Sequence, residues 1–104
     1  MKITTRRTDD GSTIKIEGDL VIAGVAEAKP EIVAALAGAR DIRLDLSAIN
    51  DCDTAGVQLL LMARASARLQ GKRLATVARS ASFVEAVERI GIPVGWFDRH
   101  EGTH

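Results

Sequence analysis

The chain has 104 residues, with fourteen basic and fourteen acidic side chains and a formal net charge of zero. That length fits one domain, and balanced charge with only 3% aromatic residues argues against wrapping a phosphate backbone or stacking bases. Cys52 is the single cysteine, which excludes an internal disulfide and a multi-cysteine zinc site. The uninterrupted apolar runs, Leu59 to Ala63 among them, are far short of the roughly 20 residues a helical membrane span needs. The polar stretch Met1 to Gly11 lacks the apolar centre of a signal peptide. The expectation is a cytoplasmic protein with a buried, reduced thiol and no direct insertion into a membrane.

In chain order, residues 3 to 7 predict a short strand, and Asp9-Asp10-Gly11 a turn. Thr13 to Glu17 alternates, with Ile14 and Ile16 on one face, as a hairpin partner does. Val25, Ala28, Ile32, Val33 and Leu36 recur at helical spacing, which predicts one helix from about Ala23 to Leu36, kinked at Pro30 and closed by Gly38. Ile42, Leu44 and Leu46 alternate with Arg43 and Asp45 and form the clearest strand signal in the chain. A loop from Ser47 to Asp53 then leads into a second helix, Thr54 to Gln70, closed by Gly71. Leu74 to Ala78 reads as a strand, Ser80 to Ile90 as a third helix, and Val94 to Phe97 as a last short strand before a polar tail. Ser82 and Glu85 have the spacing of a capping box. The order β-β-α-β-α-β-α-β predicts an α/β domain over residues 1–104, a mixed sheet opened by a hairpin and covered by crossover helices.

The stretch with most chemical content is Asp51-Cys52-Asp53-Thr54-Ala55-Gly56. Asp53 suits an N-cap, since a carboxylate there accepts amides that the first helical turn leaves unpaired. Thr54 then falls at the first helical position, where a phosphate on its hydroxyl would meet exposed amides and the positive end of the helix dipole. Gly56 would keep that turn open to another chain. Plain capping accounts for the same residues without a partner. At about 100° per residue, Thr54, Val57, Leu61, Arg64 and Arg68 share a narrow stripe, with Gln58 at its margin. If both arginines face water, Val57 and Leu61 come to the surface beside Thr54, and exposed apolar area of that kind often marks docking. The run from Thr54 to Val84 has no acidic residue and five basic ones, Arg64, Arg68, Lys72, Arg73 and Arg79, which is either an ordinary solvated face or a rim that steers an acidic partner.

Signals for catalysis and cofactors are weak. Both histidines, His100 and His104, are in the tail, and neither a P-loop nor a dinucleotide-binding glycine motif occurs. Asp51 and Asp53 could approach a hard cation, but such a pair seldom suffices alone. No metal or cofactor is implied.

The chain resembles the STAS domain of bacterial anti-sigma factor antagonists over about residues 12 to 97. The resemblance is carried by Ile42-Arg43-Leu44-Asp45-Leu46-Ser47, then Asp53-Thr54-Ala55-Gly56-Val57-Gln58-Leu59-Leu60-Leu61, then Gly71-Lys72-Arg73-Leu74. It implies a non-enzymatic protein-binding module, without nucleic acid as a ligand, whose partner is a kinase-type or anti-sigma-type regulator. In many members a serine directly ahead of the glycine is phosphorylated and releases the partner. Here that place is Ala55, so the standard switch cannot operate there, and Thr54 is the remaining phospho-acceptor candidate. The Asp-Thr-Ala-Gly start is similar to two subgroups. One is chemotaxis-associated STAS proteins, whose first helix resembles Ala28-Lys29-Pro30; the other is STAS subunits of ABC-type lipid-asymmetry transporters, which bind an ATPase subunit. A ligand-sensing role is a third reading. The partner surface implied is Asp53, Thr54, Val57, Gln58, Leu61 and Arg64.

Overall fold

A computed structural model describes residues 1–93. Its elements are β1 (Lys2–Thr8), β2 (Gly11–Leu20), α1 (Ile22–Ala37), β3 (Asp41–Cys52), α2 (Thr54–Leu69), β4 (Arg73–Arg79) and α3 (Ala81–Arg89). The strands form one mixed sheet in the order β1-β2-β3-β4, with β1 antiparallel to β2 and the other pairs parallel. The α/β architecture read from the sequence is therefore present, with three helices and four strands among the described residues. The last strand expected at Val94–Phe97 and the tail with both histidines lie outside them.

Alternation decides which face of the sheet is covered. Ile14 and Ile16 on β2, Ile42, Leu44 and Leu46 on β3, and Leu74 on β4 are buried. Thr13, Lys15, Glu17, Arg43 and Asp45 point the other way and keep contact with solvent. Both crossovers, β2-α1-β3 and β3-α2-β4, step in the same direction across the sheet, so a common hand puts both helices on the apolar face. Ala28, Ile32 and Leu36 of α1 and Leu59, Leu60, Ala63 and Ala67 of α2 close the core, joined by Phe83, Ala86 and Val87 of α3. The amide of Ser80 donates to the Leu46 carbonyl at 3.1 Å, so α3 begins where β4 leaves β3.

The sequence ended the two central strands too early. β2 runs on through Gly18 to Leu20, and the expected loop Ser47–Asp53 is strand as far as Cys52. Register shifts between β2 and β3 explain the difference. Beyond Leu46 the buried residues are Ile49 and Cys52, three apart instead of two, so the period that announces a strand is lost there.

The helix ends differ in kind. α1 is one helix with Pro30 inside it, as expected, but Gly38 at its C-cap is right-handed, and a Cβ there would run into the Arg7 guanidinium. Gly71 and Gly91 do take the left-handed conformation, at φ +69° and +82°. Each sits in a Schellman arrangement: Lys72 and Gly71 donate to Ala67 and Arg68, and Ile92 and Gly91 to Val87 and Glu88. The cap of α3 is Ser80, whose hydroxyl accepts from the Phe83 amide at 3.2 Å, in place of a Ser82–Glu85 box.

Ser12 is fully buried, and its hydroxyl has no hydrogen-bond partner among the described residues. A desolvated, unpaired hydroxyl is a net cost. Ser12→Ala is expected to raise stability by about 1 kcal/mol, read as a higher denaturant midpoint at unchanged slope.

Candidate functional site at the paired helix starts

The parallel pairing of β2 and β3 brings two strand-to-helix junctions side by side. Leu20 and Cys52 are register partners, and the Asp53 amide donates to the Leu20 carbonyl at 3.3 Å. One step further, α1 starts at Ile22 and α2 at Thr54. Asp53 caps α2 as the sequence indicates: its Oδ1 accepts from the Gly56 amide at 3.0 Å. Its second oxygen does what sequence reasoning missed. Oδ2 accepts from the Ile22 amide at 2.9 Å, and Val21, the N-cap of α1, offers no side-chain bond of its own. One carboxylate thus answers two helix N-termini, where unpaired amides and the helix dipole both favour negative charge. The Ile22 and Gly56 amides hold the Asp53 carboxyl below its ordinary value of 3.8. Bonded to two amides, it is also a poor cation ligand.

Gly56 has a packing role instead of the expected openness. A Cβ there would collide with the Leu20 carbonyl oxygen and crowd the Leu20 side chain and the Cys52 sulfur. β2 and α2 meet at this point with no space for a side chain. Cys52 is buried, as expected, and its thiol is pushed up to about 11 by burial and then by the charges of Asp53 and Asp51, against a smaller opposing effect of Arg89.

The stripe proposed for α2 is rotated. Val57 is fully buried and Arg64 only 5% exposed; Leu61 is half-buried, and Thr54, Gln58 and Arg68 are exposed. The reason lies in the small residues. Ala63 and Ala67 mark the buried seam of the helix, and Val57, Leu60 and Arg64 lie on the same side. The arginine therefore enters the interior face with its long apolar stem, as such side chains do. The outward side carries Thr54, Gln58, Ala65 and Leu69, flanked by the half-buried Leu61 and Met62.

Exposed apolar surface does stand beside Thr54, but from a different element. Ile22 is 73% exposed, at the α1 start that Asp53 holds. The available signal was Leu20-Val21-Ile22, three large apolar residues across a strand-to-helix junction, which cannot all point inward. The five basic residues do not form one rim either. Arg64 is buried, Lys72 donates to the Leu36 carbonyl at the end of α1, and Arg73 lies 3.9 Å from Asp41. At this end of the sheet Asp19 and Asp51 are exposed register partners that alternate with the buried Leu20 and Cys52, and Arg89 of α3 lies near enough to Cys52 to oppose the acidic neighbours.

Known proteins share this fold. The family model described as Mlab, STAS domain, matches residues 3–93, and the chain belongs to that family. No curated protein matches it. Among solved structures, an anti-sigma factor antagonist from Mycobacterium paratuberculosis superposes with a TM-score of 0.74 at 18% identity, covering 86% of this chain and 77% of that one. Unphosphorylated SpoIIAA, also an anti-sigma factor antagonist, gives 0.69 at 16% identity, with 88% and 82% covered. A STAS domain antagonist from Rhodobacter sphaeroides gives 0.58 at 24% identity, with 82% and 89% covered. The fold is that of these antagonists.

Two outcomes follow from the Asp53 bonds and the Cys52 environment. Asp53→Ala is expected to lose about 2 kcal/mol, measured by denaturant unfolding at pH 7. Because the folded carboxyl titrates below its unfolded value, its contribution is present above pH 3.8 and vanishes as pH falls through the lowered folded value. The gap between wild type and variant should therefore close in acid. Cys52 is expected to resist a disulfide-exchange reagent at pH 8 in the native protein and to react at once when unfolded, followed by absorbance of the released thiolate.

Proposed function

We propose that the chain is a non-enzymatic, cytoplasmic protein-docking module of the anti-sigma factor antagonist type, working through the surface at the starts of α1 and α2. The observation that carries this reading is the exposed Thr54 hydroxyl beside the exposed Ile22, both on backbone fixed by one carboxylate. A rigid surface with an apolar centre and a polar handle loses little entropy on docking. Gln58 and the half-buried Leu61 extend it along α2. Catalysis has little support here: the carboxylate next to Thr54 already accepts two amides, and the Cys52 thiol is buried and protonated near neutral pH.

Regulation would act at Thr54. A phosphoryl group there would join Asp53 and the exposed Asp51 and Asp19, and would bring a dianion next to Ile22. Of the amides near it, those of Gly56 in the first turn of α2 and of Ile22 at the start of α1 are already taken by Asp53. Phosphorylation would therefore repel an apolar partner without a compensating cradle, which is the sign a partner-releasing switch needs.

A second reading is a STAS subunit that binds the ATPase of a lipid-asymmetry transporter. The match to the Mlab family model favours it, together with Ala55 in place of a phosphorylatable serine. In that setting Thr54 serves the contact unmodified.

One experiment addresses both. The tagged wild type, Thr54→Glu and Ile22→Glu are expressed in the native host, and captured proteins are identified by mass spectrometry. Both variants should fold, since both positions are exposed and acid is welcome at a helix start. Each is expected to lose at least tenfold of a specific partner that the wild type retains. A soluble kinase-type regulator with phosphorylated Thr54 identifies signalling, and a membrane ATPase with unmodified Thr54 identifies transport. Equal capture by all three proteins overturns the assignment of the surface.

A further inference from the structure

The outer edge of the sheet is a strand with one side unused. Among the described residues β1 pairs with β2 alone, so one row of its main-chain N–H and C=O groups is left for another strand. Alternation sorts its side chains. Ile3, Thr5 and Arg7 stand opposite Ile16, Ile14 and Ser12 of β2 and so share the helix-covered face. Lys2, Thr4 and Arg6 stand opposite Glu17, Lys15 and Thr13 on the open face. Along the covered face α1 leaves a groove of about 510 Å³ beside this strand. It is lined by Ile3, Thr5 and Arg7 of β1 and by Glu31, Ala34 and Ala35 of α1. A strand added at the edge would set every second side chain toward that groove, against Ile3 and the two alanines.

Charge decides what kind of strand fits. β1 carries Lys2, Arg6 and Arg7 and no acidic residue. Arg7 is drawn off the edge, its guanidinium donating to the Gly38 carbonyl at 3.5 Å. Lys2 and Arg6 stay exposed on the open face. The neighbouring strands do little to neutralise them. Glu17, across from Lys2, lies 3.8 Å from Lys15, and Thr13, across from Arg6, accepts from Arg43 at 3.2 Å. Asp45, further in on β3, accepts from Ser47. A second β1 laid on this edge would bring like charges side by side, which is unfavourable between neighbouring strands. The cations that guard the edge against another copy therefore favour an acidic strand.

We infer that the free edge of β1 binds an extended acidic segment of another protein as an added strand. Its apolar residues turn into the groove beside α1, and its carboxylates turn to Lys2 and Arg6. Main-chain hydrogen bonds supply the affinity, and alternate side chains supply the choice of sequence. The surface is built from β1 and the outer flank of α1 and includes neither Thr54 nor Ile22. It stands or falls independently of the docking proposed above.

The test uses the full chain, isotopically labelled for nuclear magnetic resonance, and three capped peptides. The first is Val-Glu-Val-Thr-Val-Glu-Val, the second has lysine for both glutamates, and the third reorders the first as Glu-Glu-Val-Val-Thr-Val-Val. The first is expected to shift the amide resonances of residues 2–8 and to slow exchange of the outward amides of β1, an effect that fades with added salt. The lysine peptide should bind about tenfold more weakly, because both cross-strand pairs become like-charged. The reordered peptide, which has the acid without the alternation, should also bind more weakly. Lys2→Glu combined with Arg6→Glu, at exposed positions, should keep the wild-type melting temperature and prefer the lysine peptide. If that variant does not fold, the three peptides on the wild type decide alone. No shift at millimolar peptide, equal binding of the acidic peptide and either control, or shifts at Ile22 and Thr54 in place of β1 overturns the proposal.

Discussion

Both helices that frame the site begin against the same carboxylate. An isolated helix start leaves amides that must be paired, and two parallel starts side by side double that demand while adding two positive dipole ends. Asp53 meets part of both demands at 3.0 and 2.9 Å, and its own amide is tied back to Leu20. The positions of Ile22 and Thr54 relative to each other are therefore set by two amides, those of Ile22 and Gly56, donating to one carboxylate. Gly56 then lets β2 approach α2 without a side chain between them. The exposed surface follows from these local constraints.

The long central strands explain why the site stands at the edge of the sheet layer. β2 and β3 remain paired to Leu20 and Cys52, beyond the point where β4 has turned away into α3. The two junctions are carried past the rest of the sheet and meet solvent there. Asp19, Asp51 and Asp53 stand at this end, and at the other end Lys72, from the turn between α2 and β4, and Arg7, from β1, reach the carbonyls that close α1. The linear run of basic residues in the sequence is thus divided in space, and its appearance as one rim does not survive folding.

Much of the architecture could be read from the chain because alternation and capping are local. Ile42-Leu44-Leu46, the Asp53 cap and the glycines after α2 and α3 each obey a rule with a range of a few residues. What could not be read depends on contacts between distant segments. The register shifts that extend β3 arise from its pairing with β2, and the bond from Asp53 to Ile22 spans thirty-one positions. The phase of α2 was misread for a different reason. Two arginines one turn apart suggest the wet side, whereas Ala63 and Ala67 mark the dry side, and Arg64 lies with them. Small residues on a seam are the better guide than charge, because an arginine stem tolerates burial and a close-packed seam does not tolerate bulk.

α1 has neither a side-chain cap at its start nor a basic residue in its last turn. Its first amide is held by Asp53, and its final carbonyls by Lys72 and Arg7. A helix whose two ends are both secured from outside has little stability of its own beyond its buried stripe. It opens as a unit when those outside bonds yield, and its amides exchange with solvent ahead of those in β3. The order of α1 is therefore on loan from the residue that caps α2, from the turn ahead of β4 and from β1, and any event that loosens one of these is felt at the exposed Ile22.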